Sequence, residues 1–335
     1  MKVLLQFATP FSLVHGGAQT QIEQTKKCLE AVGVEVDYMR WWEDAQSADI
    51  IHCFERAGKN FTTFAQKKGI KVIVAPLLTG MGSRSQRTLF VQKNIFAVSK
   101  KILPSIVTAP FGWDSFKMAD ACIALTAWEK HLMSYVFNAL PQNVYVVPNG
   151  VENAFFESLP QPRGPWLVCT ATITERKRVL ELAQAAVIAQ TPVWIIGKPY
   201  AGNSSYVEQF EKLARENPNI VRYEGPVQDR QKLAKIYREA RGFVLLSTME
   251  SLSLSALEAA ACECPLLLSD LPWARTVFEQ NVKYCSITSP GKTAGVLRRF
   301  YNEAATLKPP AKPLSWVEVG KQFKRVYEQV LSTSR

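Results

Sequence analysis

Phe243-Val244-Leu245-Leu246, Glu250-Ser251-Leu252-Ser253-Leu254-Ser255-Ala256-Leu257-Glu258 and Pro265-Leu266-Leu267-Leu268-Ser269 follow one another along the chain. The first and third runs are short and apolar, as strands buried in a sheet are. The middle run follows a strand and opens a helix. Strand, helix and strand in this order make a βαβ unit, which sets the class as α/β with a mostly parallel sheet.

Working outward, the same alternation fills the chain. Before the quoted stretch, strands are expected at Lys2–Phe7, Val34–Met39, Ile50–Cys53, Lys71–Ala75, Ala121–Leu125 and Val144–Val147. Three more, Trp166–Thr170, Val193–Ile196 and Ile220–Tyr223, come nearer to it. Gln19–Val32 reads as a helix stopped by Gly33. Met1–Ala8 reads as a first buried strand rather than a signal peptide, because polar residues and Pro10 break it before a Gly-Gly turn. The pattern pauses at Val147-Pro148-Asn149-Gly150-Val151, and Pro160-Gln161-Pro162-Arg163-Gly164-Pro165 follows. We therefore expect an N-terminal domain over 1–150, a C-terminal domain over 151–315 and a last helix over 316–335, set off by Pro309, Pro310 and Pro313. A chain of 335 residues suits two such domains. Ligands belong at the carboxyl ends of the strands, facing a cleft.

Composition narrows the function. Hydrophobic residues make up 47%, yet no apolar run reaches the ~20 residues of a membrane-spanning helix, so a soluble globular protein is expected. The cysteines (Cys28, Cys53, Cys122, Cys169, Cys262, Cys264 and Cys285) form no CxxC pair and read as buried reduced thiols of a cytoplasmic protein. His15, His52 and His131 are not spaced as metal ligands, so no metal site is expected. The net charge of +11 is concentrated between Arg56 and Lys117, where 11 Lys or Arg face one acid, Asp114. Such a block attracts an anionic membrane, a lipid phosphate or nucleic acid, unless it is simply a solvated face.

Glu250 and Glu258 stand eight positions apart around the start of a helix. A helix start offers free N–H groups and a partial positive charge to a diphosphate. Carboxylates beside it can accept hydrogen bonds from sugar or ribose hydroxyls. By spacing alone they could equally be surface acids at a helix start, where acids are favoured.

The chain resembles the retaining, GT-B-fold glycosyltransferases that carry the EX7E motif, a group 1 or family 4-like type. Six further segments keep that family's order: His15-Gly16-Gly17-Ala18 with Gly33-Val34-Glu35-Val36, Ala48–His52, Ala119–Thr126, Val147–Val151, Ile195-Ile196-Gly197 and Val221–Val227. The resemblance implies two Rossmann-like domains facing a cleft, with room for the last helix to cross back to the N-terminal domain. It implies Glu258 on the donor's ribose, Glu250 on the donor sugar, and backbone amides from Ser251, Leu252, Ser253 and Leu254 on the diphosphate or sugar. It sets Val227 beside the base and Gly16 and Gly17 in the opening glycine loop.

The family's Arg and the Lys five positions after it fall on Thr172 and Lys177. Lys177 matches, and Arg176 or Arg178 would have to supply the charge that Thr172 lacks. The histidine many members carry after the fourth strand is replaced by Pro76-Leu77-Leu78, and Ser253 stands where Gly is common, narrowing the space near the donor. No Asp-x-Asp occurs, which fits a diphosphate held by cations and a helix end without metal. No cofactor is expected.

The expected function is transfer of a sugar, with retention, from a UDP-, GDP- or ADP-sugar to a glycan or lipid-linked acceptor hydroxyl. Glu250 and Lys177 would be the catalytic residues. Arg84, Arg87, Lys93, Lys100 and Lys101 would form an anionic recognition surface at the inner face of a membrane. The rivals are a basic nucleic-acid binder and a catalytically degenerate subunit. A dinucleotide dehydrogenase is excluded because neither Gly16-Gly17 nor Gly80-Met81-Gly82-Ser83 makes G-x-G-x-x-G.

Overall fold

The computed structural model describes residues 1–8, 10–11, 16–108, 111–157, 162–200 and 205–333, with the side chains of 105 and 106 excepted. His15 and the Pro160-Gln161 part of the linker lie outside the described residues. The chain forms two units: Met1–Gly150 with Leu314–Arg335, and Val151–Pro313.

The first unit holds β1 (Lys2–Gln6), β2 (Glu35–Tyr38), β3 (Ile50–Cys53), β4 (Lys71–Val74), β5 (Ala121–Ala124) and β6 (Val144–Val146). They form a parallel six-stranded sheet in the order β2-β1-β3-β4-β5-β6. Its helices are α1 (Gly17–Ala31), α2 (Lys59–Lys67), α3 (Gln86–Ile102), α4 (Ser105–Thr108), α5 (Ser115–Met118), α6 (Ala127–Phe137) and, from the far end of the chain, the helix Trp316–Ser332. β3 and β5 are buried at every position, as strands covered by helices on both faces must be.

The second unit holds β7 (Leu167–Thr170), β8 (Val193–Ile196), β9 (Val221–Tyr223), β10 (Gly242–Leu245), β11 (Leu266–Ser269) and β12 (Lys283–Cys285) in the order β12-β11-β10-β7-β8-β9, again all parallel. Its helices are α7 (Val179–Ala189), α8 (Ser205–Glu216), α9 (Arg230–Glu239), α10 (Leu254–Ala261), α11 (Pro272–Phe278) and α12 (Pro290–Glu303); Trp316–Ser332 is therefore α13. Each strand expected from the sequence is present, with ends shifted by no more than a single residue, and β12 is an addition.

α13 opens with a capping box, Ser315 and Glu318 bonding each other's backbone N–H. It buries Val319, Phe323, Val326, Tyr327 and Val330, a stripe at helical spacing. It packs on α1 so closely that a Cβ at Gly320 would lie 2.4 Å from the Cys28 carbonyl oxygen. The Tyr327 hydroxyl meets His52 Nδ1 of β3 at 2.6 Å, and burial pushes the His52 imidazole down to about 3. His52 is thus a neutral packing residue. All seven thiols are buried and free; burial pushes those of Cys169, Cys262 and Cys264 up to about 12.

The strand orders locate where each sheet can bind. After β1 the chain runs to β2 on one side, then returns to β3 on the other; after β7 it runs to β8 and β9, then returns to β10. The gaps outside the carboxyl ends of the β1/β3 and β7/β10 pairs are therefore topological switch points, where the crevices of open α/β sheets lie.

Candidate active site

At the second unit's switch point two loops meet. The loop after β7 turns through a tight helical segment, Glu175–Lys177, which the Thr174 hydroxyl caps by accepting from Lys177 N at 3.3 Å. A Cβ at Gly197, just past β8, would lie 1.9 Å from the Ala171 carbonyl oxygen, so only glycine lets the two strand ends approach this closely. The loop after β10 is stitched to the first by Thr248 N donating to the Arg176 carbonyl at 2.8 Å. Across this seam Lys177 Nζ bonds Glu250 Oε1 directly. Arg176 Nη1 lies 3.5 Å from Glu250 Oε2 and donates to the Met249 carbonyl at 3.0 Å. Glu250 is a buried carboxylate gripped by two cations.

The β10 loop then enters α10. Ser253 is its N-cap, its hydroxyl accepting from Ala256 N at 3.4 Å. The serine side chain is thus turned back onto its own helix. Residues Ala256–Ala261 are all buried, and one of them is Glu258.

Arg230, the first residue of α9, meets that carboxylate. Its Nη2 bonds Glu258 Oε1 and its Nε donates to Glu152 Oε1 at 2.9 Å, while the guanidinium lies 4.7 Å from the Phe155 ring centre. The Tyr237 hydroxyl donates to Glu258 Oε2 at 3.4 Å. Burial pushes the Glu258 carboxyl above its ordinary range, and Arg230 opposes that push. Arg230, Glu152 and Tyr237 escaped the sequence reading, because no spacing links residues so far apart to Glu258.

The remaining residues divide. Ser251 and Leu252 are buried, Leu254 and Thr172 half-buried, and Val227 lies half-buried in the loop that leads to Arg230. Arg178 donates to the Thr288 carbonyl at 2.6 Å, so Arg176 is the neighbour that stands near Glu250. In the first unit Gly16 is the N-cap of α1 with φ 151°, a conformation that favours glycine, and Gly17 begins the helix. Beside them, at the β1/β3 switch point, Phe7, Phe11, Ile22, Phe54 and Leu77 line a cavity of about 120 Å³ with Gln21 and Glu55. Of the five cations expected on one surface, Arg84 bonds Gln92, Lys93 lies 4.2 Å over the Tyr135 ring and Lys100 pairs with Asp114 at 2.6 Å. Only Arg87 and Lys101 are exposed without a hydrogen-bond or ion-pair partner among the described residues. Among the described residues, no three His, Cys, Asp or Glu are grouped to hold a metal.

The family described as Glycosyl transferases group 1 matches residues 164–302, the segment that carries Lys177, Glu250 and Glu258. Over this segment the chain is similar to the group 1 glycosyltransferases. The chain is similar to D-inositol 3-phosphate glycosyltransferase 1 of Catenulispora acidiphila, 25% identical over 65% of this chain and 59% of that protein. It is also similar to alpha-galactosylglucosyldiacylglycerol synthase of Streptococcus pneumoniae, 28% identical over 37% of this chain and 33% of that one. The chain thus spans 59% or less of the curated relatives' length in these matches. Among solved structures, the sucrose-phosphate synthase of Thermosynechococcus elongatus superposes at a TM-score of 0.71, 16% identical, over 99% of this chain and all of that one. Anabaena HepE in complex with UDP and glucose superposes at 0.66, 14% identical, over 98% of this chain and all of that one. These likenesses establish the GT-B fold for the chain.

Proposed function

We propose that the protein is a glycosyltransferase that moves a sugar from a nucleotide-sugar to an acceptor hydroxyl, with retention and without a metal. The observation that carries the reading is the pair of anchored acids at one switch point, Glu250 against Lys177 and Arg176, and Glu258 against Arg230. In this reading Glu258 accepts from the ribose hydroxyls and Glu250 from the sugar. Lys177, with Arg176 in place of the arginine that Thr172 replaces, neutralises the diphosphate as the bond from its oxygen to C1 breaks. The acceptor oxygen takes C1 on the same face and its proton leaves with the phosphate. Charge that grows only in the transition state is best met by fixed cations, which is why they raise turnover more than affinity.

We assign the donor to the second unit and the acceptor to the first, at the cavity beside Gly16 and Gly17. We place the enzyme in the cytoplasm, peripherally at the inner face of a membrane. The UDP complex of HepE makes UDP-sugars the first donors to try. The relatives' names make D-inositol 3-phosphate and a glycosyldiacylglycerol the first acceptors. Hydrolysis and transfer measured across UDP-, GDP- and ADP-sugars test the reading. One donor turned over, with loss of nucleotide binding in Glu258→Ala, supports it; calorimetric binding unchanged in Glu258→Ala overturns the donor site. Binding without turnover of any donor would leave the catalytically degenerate alternative.

A further inference from the structure

Helix α3 is 17 residues long and buries only Leu89. Its packed side is formed by Leu89 and Phe96, the latter stacked on Trp113 at a ring-centre distance of 4.4 Å. On the other side Phe90, Val91, Ile95, Val98 and Ile102 are each more than half exposed. At about 100° per residue these five fall within one arc of the helix surface, turned away from Leu89 and Phe96. Arg87 and Lys101 fall within or beside the same arc, near its two ends. A soluble surface scatters its apolar side chains singly; five along one helix face with cations at both ends is an unpartnered surface.

We propose that this face of α3 docks the protein on an anionic bilayer, with the five apolar side chains in the headgroup–acyl boundary and Arg87 and Lys101 at the lipid phosphates. The inference deepens the reading of the first unit as the acceptor side by naming the surface on which that acceptor is met. Charge selects this occupant. The helix lies inside the Arg56–Lys117 block of 11 cations and one acid, so a second copy of the same face would bring like charges together. Nucleic acid would meet the cations, but it gains nothing from burying Val91, Ile95, Val98 and Ile102, which have no ring to stack on a base. An interfacial helix uses both: apolar area for depth, and cations for a preference for anionic lipid. Lys100 and Lys93 are not needed, since they pair inside the unit.

Co-sedimentation of the full chain with vesicles tests this, using phosphatidylcholine alone and phosphatidylcholine with phosphatidylglycerol, at low and high salt. The expected result is binding to the anionic vesicles that high salt weakens. It should fall about tenfold in Ile95→Ser/Ile102→Ser and about tenfold in Arg87→Glu/Lys101→Glu. All four positions are exposed, so both variants should keep the wild-type unfolding temperature. Three results would overturn the proposal: no binding to anionic vesicles at low salt, full binding by the Ile95→Ser/Ile102→Ser variant, or a dimer in solution that this variant splits. Nucleotide binding by Glu258→Ala reads the second unit alone, so failure of the donor assignment and failure of the membrane face are separately visible.

Discussion

The Arg230 guanidinium bonds one oxygen of the Glu258 carboxylate from 28 positions earlier in the chain, and through its other edge it holds Glu152. Glu258 sits in a helix buried on every side, where ionisation is costly; the guanidinium offsets that cost. An acid whose carboxyl is raised loses its charge at a higher pH than usual, and removing Arg230 raises it further. In Arg230→Gln, nucleotide affinity should therefore begin to fall at a higher pH than in the wild type as the solution is acidified. The loss at neutral pH should be about tenfold, one charge-assisted bond. Calorimetry with UDP across pH 5 to 8 checks it; parallel curves for the two proteins would mean that Arg230 does not act through Glu258.

Lys177→Ala should lower turnover about a hundredfold or more at saturating donor, the size seen when one donor to a developing anion is removed. Nucleotide affinity should change much less. Among the described residues, the variant leaves Glu250 with the longer Arg176 contact at 3.5 Å as its ion pair, so a thermal melt should accompany the kinetics. Turnover within a factor of two of wild type excludes Lys177 as the phosphate clamp.

His52 gives the first unit an acid-side weakness. Burial depresses its folded value from 6.5 to about 3. A depressed base contributes stability that is whole above the unfolded value and is lost as pH falls below it. Between about 6.5 and 3 the unfolded chain takes up a proton that the folded one refuses, at up to about 1.4 kcal/mol per pH unit. Urea unfolding at pH 7 and pH 5 should show the decline. His52→Asn should be less stable overall yet flatter over this range; an unchanged slope would place the acid sensitivity elsewhere.

Gly320→Val should destabilise the first unit by about 1–3 kcal/mol, the usual cost of overpacking, because the Cys28 carbonyl stands 2.4 Å from the required Cβ. Thermal unfolding followed by tryptophan fluorescence reads this. A wild-type midpoint would show that α1 and α13 can separate freely.

How much of this was legible depends on range along the chain. Ile50–Cys53 and Val193–Ile196 are continuous apolar runs, and burial on both faces demands that composition, so those strands could be read to the residue. Lys283–Cys285 escaped because it opens with an exposed lysine and holds no valine, isoleucine or leucine, unlike the edge strands Val144–Val146 and Val221–Tyr223. In α3, Leu89 and Phe90 are equally apolar; which of them packs inward is decided by α6 and Trp113, which local sequence does not contain. Glu250 and Glu258 were legible by their spacing around a helix start, whereas Arg230 reaches Glu258 only after α9 and α10 have packed. Ser253 had a plain local explanation, a helix cap, that the comparison with a family glycine obscured.

The two units differ in how they are written into the gene. Val151–Pro313 is one uninterrupted stretch, whereas the first unit needs residues from both ends of the chain. A ribosome therefore delivers everything the second unit requires before it delivers α13. Until then the α1 surface around Cys28 and the strand position of His52 lack their cover. The unit whose translation begins first is the one whose last element is delivered last. A nascent chain that stalls after residue 313 would carry one finished unit and one with an open flank, a form that chaperones and proteases recognise by its exposed apolar surface.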